Sequence, residues 1–295
     1  MRFGILTSGQ VGDAKLVKAA EDRGHTAKLI DILDCSMRVS SEEPLIYYDG
    51  KKIKASDFDV ILPRVNVEFT DYGLNVLRQF QSMGVRTIDN AYSLELGRDK
   101  LRCLQYMMRF GLAFPTTALV HTTEDFDTAM STIGEPPLVI KLIKGTEGVG
   151  VFLVEDRKQA LNILKTFQQL DAQIILQEFI AESAGTDLRC FVVGGKVVAA
   201  MQRRSQDEDF RANISLGGKS ESVELTEAEE TLAIEAAQAV NLNVAGVDLI
   251  RSDRGPLVIE INVSPDFAAL EEVSGVNVAE EMIKFGEKIM HWNKE

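Results

Sequence analysis

The residues best suited to chemistry lie in one stretch, Val247 to Asn262, where Asp248, Glu260 and Asn262 interrupt two apolar runs joined by Ser252-Asp253-Arg254-Gly255. Apolar runs around such a turn predict a β-hairpin. A hairpin centred near Arg254 sets Asp248 opposite Glu260, and residues two apart on a strand share a face, so Asn262 points the same way as Glu260. A carboxylate among Leu, Ile and Val costs on the order of several kcal/mol to desolvate unless a cation or hydrogen bonds compensate. Two carboxylates and a carboxamide are hard oxygen donors that suit Mg²⁺, which takes few protein ligands and completes its shell with phosphate and water. A plain hairpin with one solvated polar face has the same pattern, and the stretch alone does not choose between them.

A second set of residues carries positive charge. Lys141 stands mid-strand in Leu138-Val-Ile-Lys-Leu-Ile143, ahead of Gly145, Gly148 and Gly150. A Lys between aliphatic neighbours normally needs a partner anion, and the glycines let the main chain fold over a polyanion and offer it N–H groups; a flexible hairpin with a snorkelling Lys has the same pattern. This is not the Gly-x-x-x-x-Gly-Lys-Ser/Thr phosphate loop, because the Lys precedes the glycines and no helix follows at once. Lys100 lies in the first turn of an amphipathic helix that starts near Arg98 and is ended by Gly111. The helix dipole disfavours a cation there, so Lys100 is either solvated or reaching towards an anion that the helix start also attracts. Gln177-Glu178-Phe179 closes an apolar strand and either offers an adenine its main chain and an aromatic face or is simply a strand end. Arg203, Arg204 and Arg211 cluster after a strand on which Asp187 and Arg189 share one face, which reads as a phosphate or carboxylate clamp or as a solvated face.

These groups must be positioned by ordinary elements. Residues 1 to about 95 alternate strand and helix patterns: Phe3 to Leu6, Asp13 to Arg23, Ala27 to Ile32, Val60 to Leu62 and Tyr72 to Met83, which is α/β with a parallel sheet. Gly4, Gly9 and Gly12 do not fit the dinucleotide fingerprint, and Thr7 to Gly12 reads as an ordinary loop. Further on come two strands within Leu138 to Val154, a helix from Asp156 to Leu170, a strand from Ile174, and a hairpin across Gly194-Gly195. Thr226 with Glu229 marks a helix start, and Asn277 to His291 a closing helix. The expected division is 1–97, 98–185 and 186–295, with α+β character in the last part.

Composition narrows the function classes. Forty-five acidic against 32 basic residues give a net charge of −13 over 295 residues, which disfavours nonspecific binding to nucleic acid or anionic membrane. The apolar stretch after Met1 is too short for a signal sequence and no run approaches a membrane span, so cytoplasmic residence is expected. Cys35, Cys103 and Cys190 are far apart and suggest buried thiols, neither disulfides nor a zinc site. His25, His121 and His291 lie far from the motifs above, and no Ser/His/Asp or Cys/His constellation is present.

Taken together, a Lys on a strand before a Gly-rich loop, a Gln-Glu-aromatic hinge, an Arg-rich strand and a final Asp…Glu-x-Asn resemble the ATP-grasp signature. Within that superfamily the chain resembles the RimK-type ligases, which attach glutamate to the C-terminus of a small-subunit ribosomal protein. The likeness rests on Arg98-Asp-Lys-Leu-Arg102, Val139-Ile-Lys-Leu142, Gly145-Thr-Glu-Gly148, Gln177-Glu178, Asp187-Leu-Arg-Cys190, Asp209-Phe-Arg-Ala-Asn213, Ala245-Gly-Val-Asp248 and Glu260-Ile-Asn262. It implies an ATP-grasp fold: a parallel-sheet module, then two modules clamping ATP. It further implies Lys100 and Lys141 on phosphates, Glu178 and Phe179 on adenine, Asp187 on ribose, and Arg211 and Asn213 on the triphosphate. Asp248, Glu260 and Asn262 would hold Mg²⁺ or Mn²⁺, as two ions, while Arg203, with Arg204 beside it, would stabilise the acyl group. The partners implied are an amino acid such as glutamate and a protein or peptide C-terminus, in a homo-oligomer, commonly a tetramer.

Other readings are a related ligase acting on a small peptide, carrier protein or metabolite, and a nucleotide-binding protein without ligase activity. Two loops depart from the family pattern. Arg211-Ala-Asn-Ile-Ser-Leu-Gly-Gly218 has Leu216 where the family has Arg, and Asn262-Val-Ser-Pro-Asp-Phe-Ala-Ala269 has Asp266 where it has Gly. If both loops border the substrates, acidic ones become less welcome.

Overall fold

The computed structural model describes residues 1–145, 149–205, 210–212 and 218–291, the last without its side chain. The chain opens with β1 (Arg2–Thr7), α1 (Asp13–Asp22) and β2 (Thr26–Asp31). A small antiparallel sheet of β3 (Cys35–Arg38), β4 (Leu45–Tyr48) and β5 (Lys51–Ile53) follows, then β6 (Val60–Arg64), α2 (Thr70–Ser82), β7 (Arg86–Thr87) and α3 (Ala91–Gly97). Strands β2, β1, β6 and β7 lie side by side in that order, all parallel. β6 is buried at every residue and β1 at all but Arg2, as a parallel sheet covered on both faces requires. Because β2 and β6 flank β1, the C-terminal ends of β1 and β6 form a topological switch point, where open α/β sheets leave a crevice.

Helix α4 (Lys100–Arg109) leads into β8 (Thr117–Val120), α5 (Phe126–Ile133), β9 (Leu138–Leu142), β10 (Val151–Val154), α6 (Arg157–Gln169) and β11 (Ile174–Glu178). Their sheet runs β10-β9-β11-β8, antiparallel throughout, over a core of its own that includes Phe126, Ile140, Leu164 and Leu176. The remaining elements are β12 (Thr186–Val193), β13 (Lys196–Arg204), β14 (Lys219–Ser222), α7 (Glu227–Ala239), β15 (Val244–Ser252), β16 (Gly255–Asn262), α8 (Ala268–Ser274) and α9 (Val278–His291). Their sheet has the order β14-β13-β12-β15-β16. Gly194 and Gly195, at φ 57° and 76°, make the tight β12–β13 turn, and a Cβ on Gly194 would collide with Phe285.

The first and last parts of the chain share their cores. One cluster joins Phe3, Ile5 and Leu62 to Phe191, Phe267 and Ile283, and another joins Ile61 and Leu77 to Val247 and Ile261. The reason is burial demand: β1 and β6 are apolar on both faces, and the C-terminal segment supplies part of their cover. A boundary at residue 97 therefore separates sheets without separating hydrophobic cores. No helix among the described residues is long and apolar enough to cross a membrane.

Local sequence explains the element ends. Thr226 Oγ1 accepts from the Glu229 N–H at 3.3 Å while Glu229 Oε2 accepts from the Thr226 N–H at 2.9 Å, a reciprocal cap on α7. Thr226→Ala is expected to lower the unfolding free energy by about 1 kcal/mol. Urea denaturation should show an earlier midpoint at unchanged slope.

Candidate active site

The β15–β16 hairpin pairs Asp248 with Glu260 and Gly246 with Asn262, with an irregularity after Asp248. This is the predicted register, and it brings the three oxygen-bearing side chains to one end of the hairpin. Asp248 is buried and its oxygens are taken. Arg189 on β12 grips it through Nε to Oδ1 and through Nη2 to Oδ2 at 2.9 Å. Arg203 Nη2 lies 3.0 Å from Oδ2, and Asn262 Nδ2 donates to Oδ2 at 3.3 Å. Burial opposes ionisation of Asp248, yet the two guanidiniums outweigh it and hold the carboxyl below the usual range.

Arg203 is shared. Its Nε and Nη2 donate to the two oxygens of Asp187 at 2.6 and 2.7 Å, so Asp187, Arg203, Asp248 and Arg189 form one buried array of alternating charge across β13, β12 and β15. Burial pushes Asp187 up against the pull of Arg203, and burial of Arg203 is outweighed by Asp248 and Asp187, which raise it. Such an array holds its shape because removing one member strands another in a dry site.

Lys100 and Lys141 approach the same place from the other side. Lys100 Nζ lies 3.1 Å from Glu260 Oε1 and donates to the Gly145 carbonyl at 2.7 Å, tying α4 to both the hairpin and the Gly-rich loop. Burial and the neighbouring Lys100 pull the pKa of Lys141 down to about 8, against Glu260 and Asp248. Gly150 has φ 72°, and a Cβ there would run into Leu142, so the end of the loop needs a glycine.

Lys100, Lys141, Asp187, Asp248 and Glu260 line one cleft, whose cavity volume is about 110 Å³. Lys100, Lys141, Asp187, Arg211, Asp248 and Glu260 give it a charged floor, and Val139, Val151, Phe179, Phe210, Ile250 and Ile259 give it apolar walls. Phe179 and Phe210 meet edge to face at 6.2 Å, with the Arg211 guanidinium 5.8 Å from the Phe210 ring. Glu178 lines the cleft, but its carboxylate is engaged. The Thr116 N–H donates to it at 3.1 Å and Arg254 Nη2 at 2.9 and 3.0 Å, which together hold its pKa down against burial. A slot with aliphatic and aromatic walls over a floor of cations and carboxylates has the chemistry of a nucleotide site with a divalent ion.

The structure does not bring every predicted residue here. Arg204 follows Arg203 on β13, so it points to the opposite face, and it is exposed. Gly148 and Asn213, together with Ser215 and Leu216, lie outside the described residues. Asp266 is exposed and accepts from the Ala268 N–H at 3.0 Å at the start of α8, a capping role. The next residue, Phe267, is buried against Gly12 and lies 5.2 Å from the Arg64 guanidinium. Sequence reasoning missed the roles of Arg189 and Arg254. Arg189's two-residue spacing from Asp187 was visible, but its partner Asp248 is 59 positions away. Arg203→Ala is expected to cut ADP release by about 100-fold or more, whereas Arg204→Ala, a surface change, should stay within about twofold. Steady-state assays of both variants check this pair.

Residues 1–94 match the family model described as the RimK PreATP-grasp domain, and residues 97–285 match the RimK-like ATP-grasp domain. A protein of Thioalkalivibrio sulfidiphilus named probable alpha-L-glutamate ligase is 45% identical over 274 residues, 93% of this chain and 90% of that one. One of Aliivibrio fischeri with the same name is 44% identical over 290 residues, 98% and 96% of the two chains. Among solved structures, the macrocyclase MdnC from Microcystis aeruginosa, bound with its precursor peptide MdnA, superposes with a TM-score of 0.74 at 17% identity, covering 98% of this chain and 100% of that one. A RimK domain ATP-grasp protein from Sphaerobacter thermophilus gives 0.72 at 23% identity, covering 97% and 99%. At those identities the two structures speak for the ATP-grasp fold alone.

Proposed function

Because the chain belongs to the RimK-like ATP-grasp family, and is a carboxylate–amine ligase of that family, we propose that it joins L-glutamate to the C-terminal carboxylate of a protein or peptide at the expense of ATP. The observation that carries this reading is the cleft in which Lys100, Lys141, Arg211, Asp248 and Glu260 meet under apolar walls, with Arg203 and Asn262 held against Asp248. The names of the two bacterial relatives support glutamate as the amino acid added. A ribosomal protein tail is the first acceptor to try. The reading includes cytoplasmic residence and a homotetramer.

In the reaction the acceptor carboxylate oxygen attacks the γ-phosphorus of ATP, releasing ADP and forming an acyl phosphate. The amine of the incoming amino acid then attacks the acyl carbon, and the tetrahedral oxyanion collapses with loss of phosphate. Lys100, Lys141 and Arg211 would hold and align the triphosphate, Val139, Val151 and Phe179 would sandwich the base, and Asp187 would meet the ribose. Arg203 would face the charge that develops on the acyl oxygen, its position fixed by Asp187 and Asp248. The donor set of Asp248, Glu260 and Asn262 fits Mg²⁺, since all three are hard oxygens and only two are charged. Those residues would hold it, with Mn²⁺ as a substitute and two ions in the full site. When bound, the metal neutralises phosphate charge. No covalent nucleophile is needed, and the three cysteines are buried thiols raised by burial to about 12.

The test is to incubate the protein with ATP, Mg²⁺ and pooled amino acids, with and without candidate acceptor proteins, and to read intact masses. A mass increase equal to one or more glutamyl residues on an acceptor supports the reading. Transfer of a different amino acid, or ADP release with no acceptor modified, overturns its finer part.

A further inference from the structure

Several guanidiniums that this acidic chain buries or half-buries have an acid beside them: Arg64 faces Asp13, Arg189 faces Asp248, and Arg203 faces Asp187 and Asp248. Arg98 is different. Its Nη2 donates to the Val65 carbonyl, but its Nε is buried without a hydrogen-bond partner, the one such side-chain atom among the described residues. Among those residues no carboxylate offsets the burial, which by itself pulls the pKa down to about 10. A desolvated cation without a counter-ion is expensive, and a buried donor left unmade calls for an explanation such as a missing ion.

Position supplies one. Arg98 ends α3 and precedes Asp99, the N-cap of α4. Val65, the acceptor of its one hydrogen bond among the described residues, directly follows β6, at the C-terminal end of the parallel sheet beside the β1/β6 switch point. On the other side Gly97 is packed against Val263, the residue after Asn262, and Lys100 reaches Glu260. The guanidinium thus stands between the C-terminal end of β6 and the end of the hairpin that carries Glu260 and Asn262. The adenine end of the cleft is elsewhere, at Glu178 and the Arg254 tip of the same hairpin.

We propose that Arg98 is the receptor for a substrate carboxylate, taken side-on by Nε and the second Nη2 hydrogen. A guanidinium fork matches the two oxygens of a carboxylate, and in a protein of net charge −13 only a local, sheltered cation can attract one. This rests on the proposed reaction for its two sources: the amino acid, whose α-carboxylate must be held while its amine attacks, and the acceptor, whose terminal carboxylate is activated.

The test uses the full-length protein with ADP and Mg²⁺ present. The Nε–H signal of Arg98 is identified in a nitrogen-15 spectrum by its loss in Arg98→Lys, and acetate, L-glutamate and N-acetyl-alanyl-alanine are titrated in separately. We expect saturable movement of that signal with acetate and with one of the two larger ligands, which names the source. Calorimetry on Arg98→Gln should then show affinity for that ligand reduced by about 10- to 100-fold, with ADP affinity unchanged and no further loss for the ligand's carboxamide analogue. If no carboxylate moves the signal, or if Arg98→Gln lowers thermal stability while all affinities persist, the proposal falls. Should mass analysis show that another amino acid is transferred, the glutamate reading fails separately, and acetate and the acetylated dipeptide still judge Arg98.

Discussion

Asp248→Asn is expected to abolish ADP release, by about 100-fold or more, and to destabilise the protein as well. The two effects have different origins. Loss of the charge weakens the oxygen set that suits Mg²⁺, so phosphate charge goes uncompensated. It also leaves Arg189 and Arg203 with one carboxylate, Asp187, between them, in a place where Asp248 had engaged both. Breaking a buried pair from one side costs about 3–5 kcal/mol at the upper end, and the amide retains part of the hydrogen bonding. Glu260→Gln separates the effects. Glu260 is 31% exposed and its ion pair is with Lys100, itself partly solvated, so the stability change should be small. Turnover should still collapse. ADP release measured beside thermal unfolding and far-UV circular dichroism distinguishes the two effects, and a Glu260→Gln enzyme that keeps wild-type turnover would remove Glu260 from the metal set.

The hairpin that carries this site was legible because two apolar runs flank a turn of Ser, Asp, Arg and Gly, and centring the hairpin on that turn sets Asp248 opposite Glu260, as it is. The capping box at Thr226 and the Gly194-Gly195 turn were legible for similar local reasons. The β3–β5 sheet escapes a reading by periodicity because its strands are three or four residues long, although Asp49-Gly50, at φ 52° and 73°, is a strong hairpin signal between Tyr48 and Lys51. What sequence could not show is non-local. Arg189 meets Asp248 only because β12 pairs with β15, and Glu178 meets Arg254 only because the hairpin tip folds back on the end of β11. The shared cores follow the same logic: nothing local in Phe267 announces that it packs beside Gly12 and Arg64.

The two oxygens of Asp248 are unequally engaged. Oδ2 meets Arg189, Arg203 and Asn262 while Oδ1 meets Arg189 alone, so a cation that binds at Oδ2 would displace some of those donors. Phosphates entering with the metal would be recipients for the released arginine donors, and metal and nucleotide binding would then be linked through the same side chains.

Lys141→Met is expected to weaken binding of a non-hydrolysable ATP analogue by about 10- to 100-fold, the worth of a charge-assisted hydrogen bond. It should also abolish a pH dependence that the wild type shows. Burial and Lys100, against Glu260 and Asp248, bring Lys141 from the usual 10.5 to about 8. Only the protonated amine pairs with phosphate. Affinity should therefore be level below about pH 8 and fall by about tenfold for each further unit, because the proton must then be restored on binding. Lys141→Arg, charged throughout, should bind without that fall. The sign for folding is opposite. The folded pKa lies below the unfolded one, so between about 8 and 10.5 the unfolded chain holds the extra proton, and this group's contribution to stability rises with pH by up to about 3 kcal/mol across that window. Calorimetric titrations and urea denaturation on either side of pH 8, for wild type, Lys141→Met and Lys141→Arg, read both signs. If Lys141→Met keeps the wild-type pH profile for nucleotide, the titrating cation in the cleft is another residue.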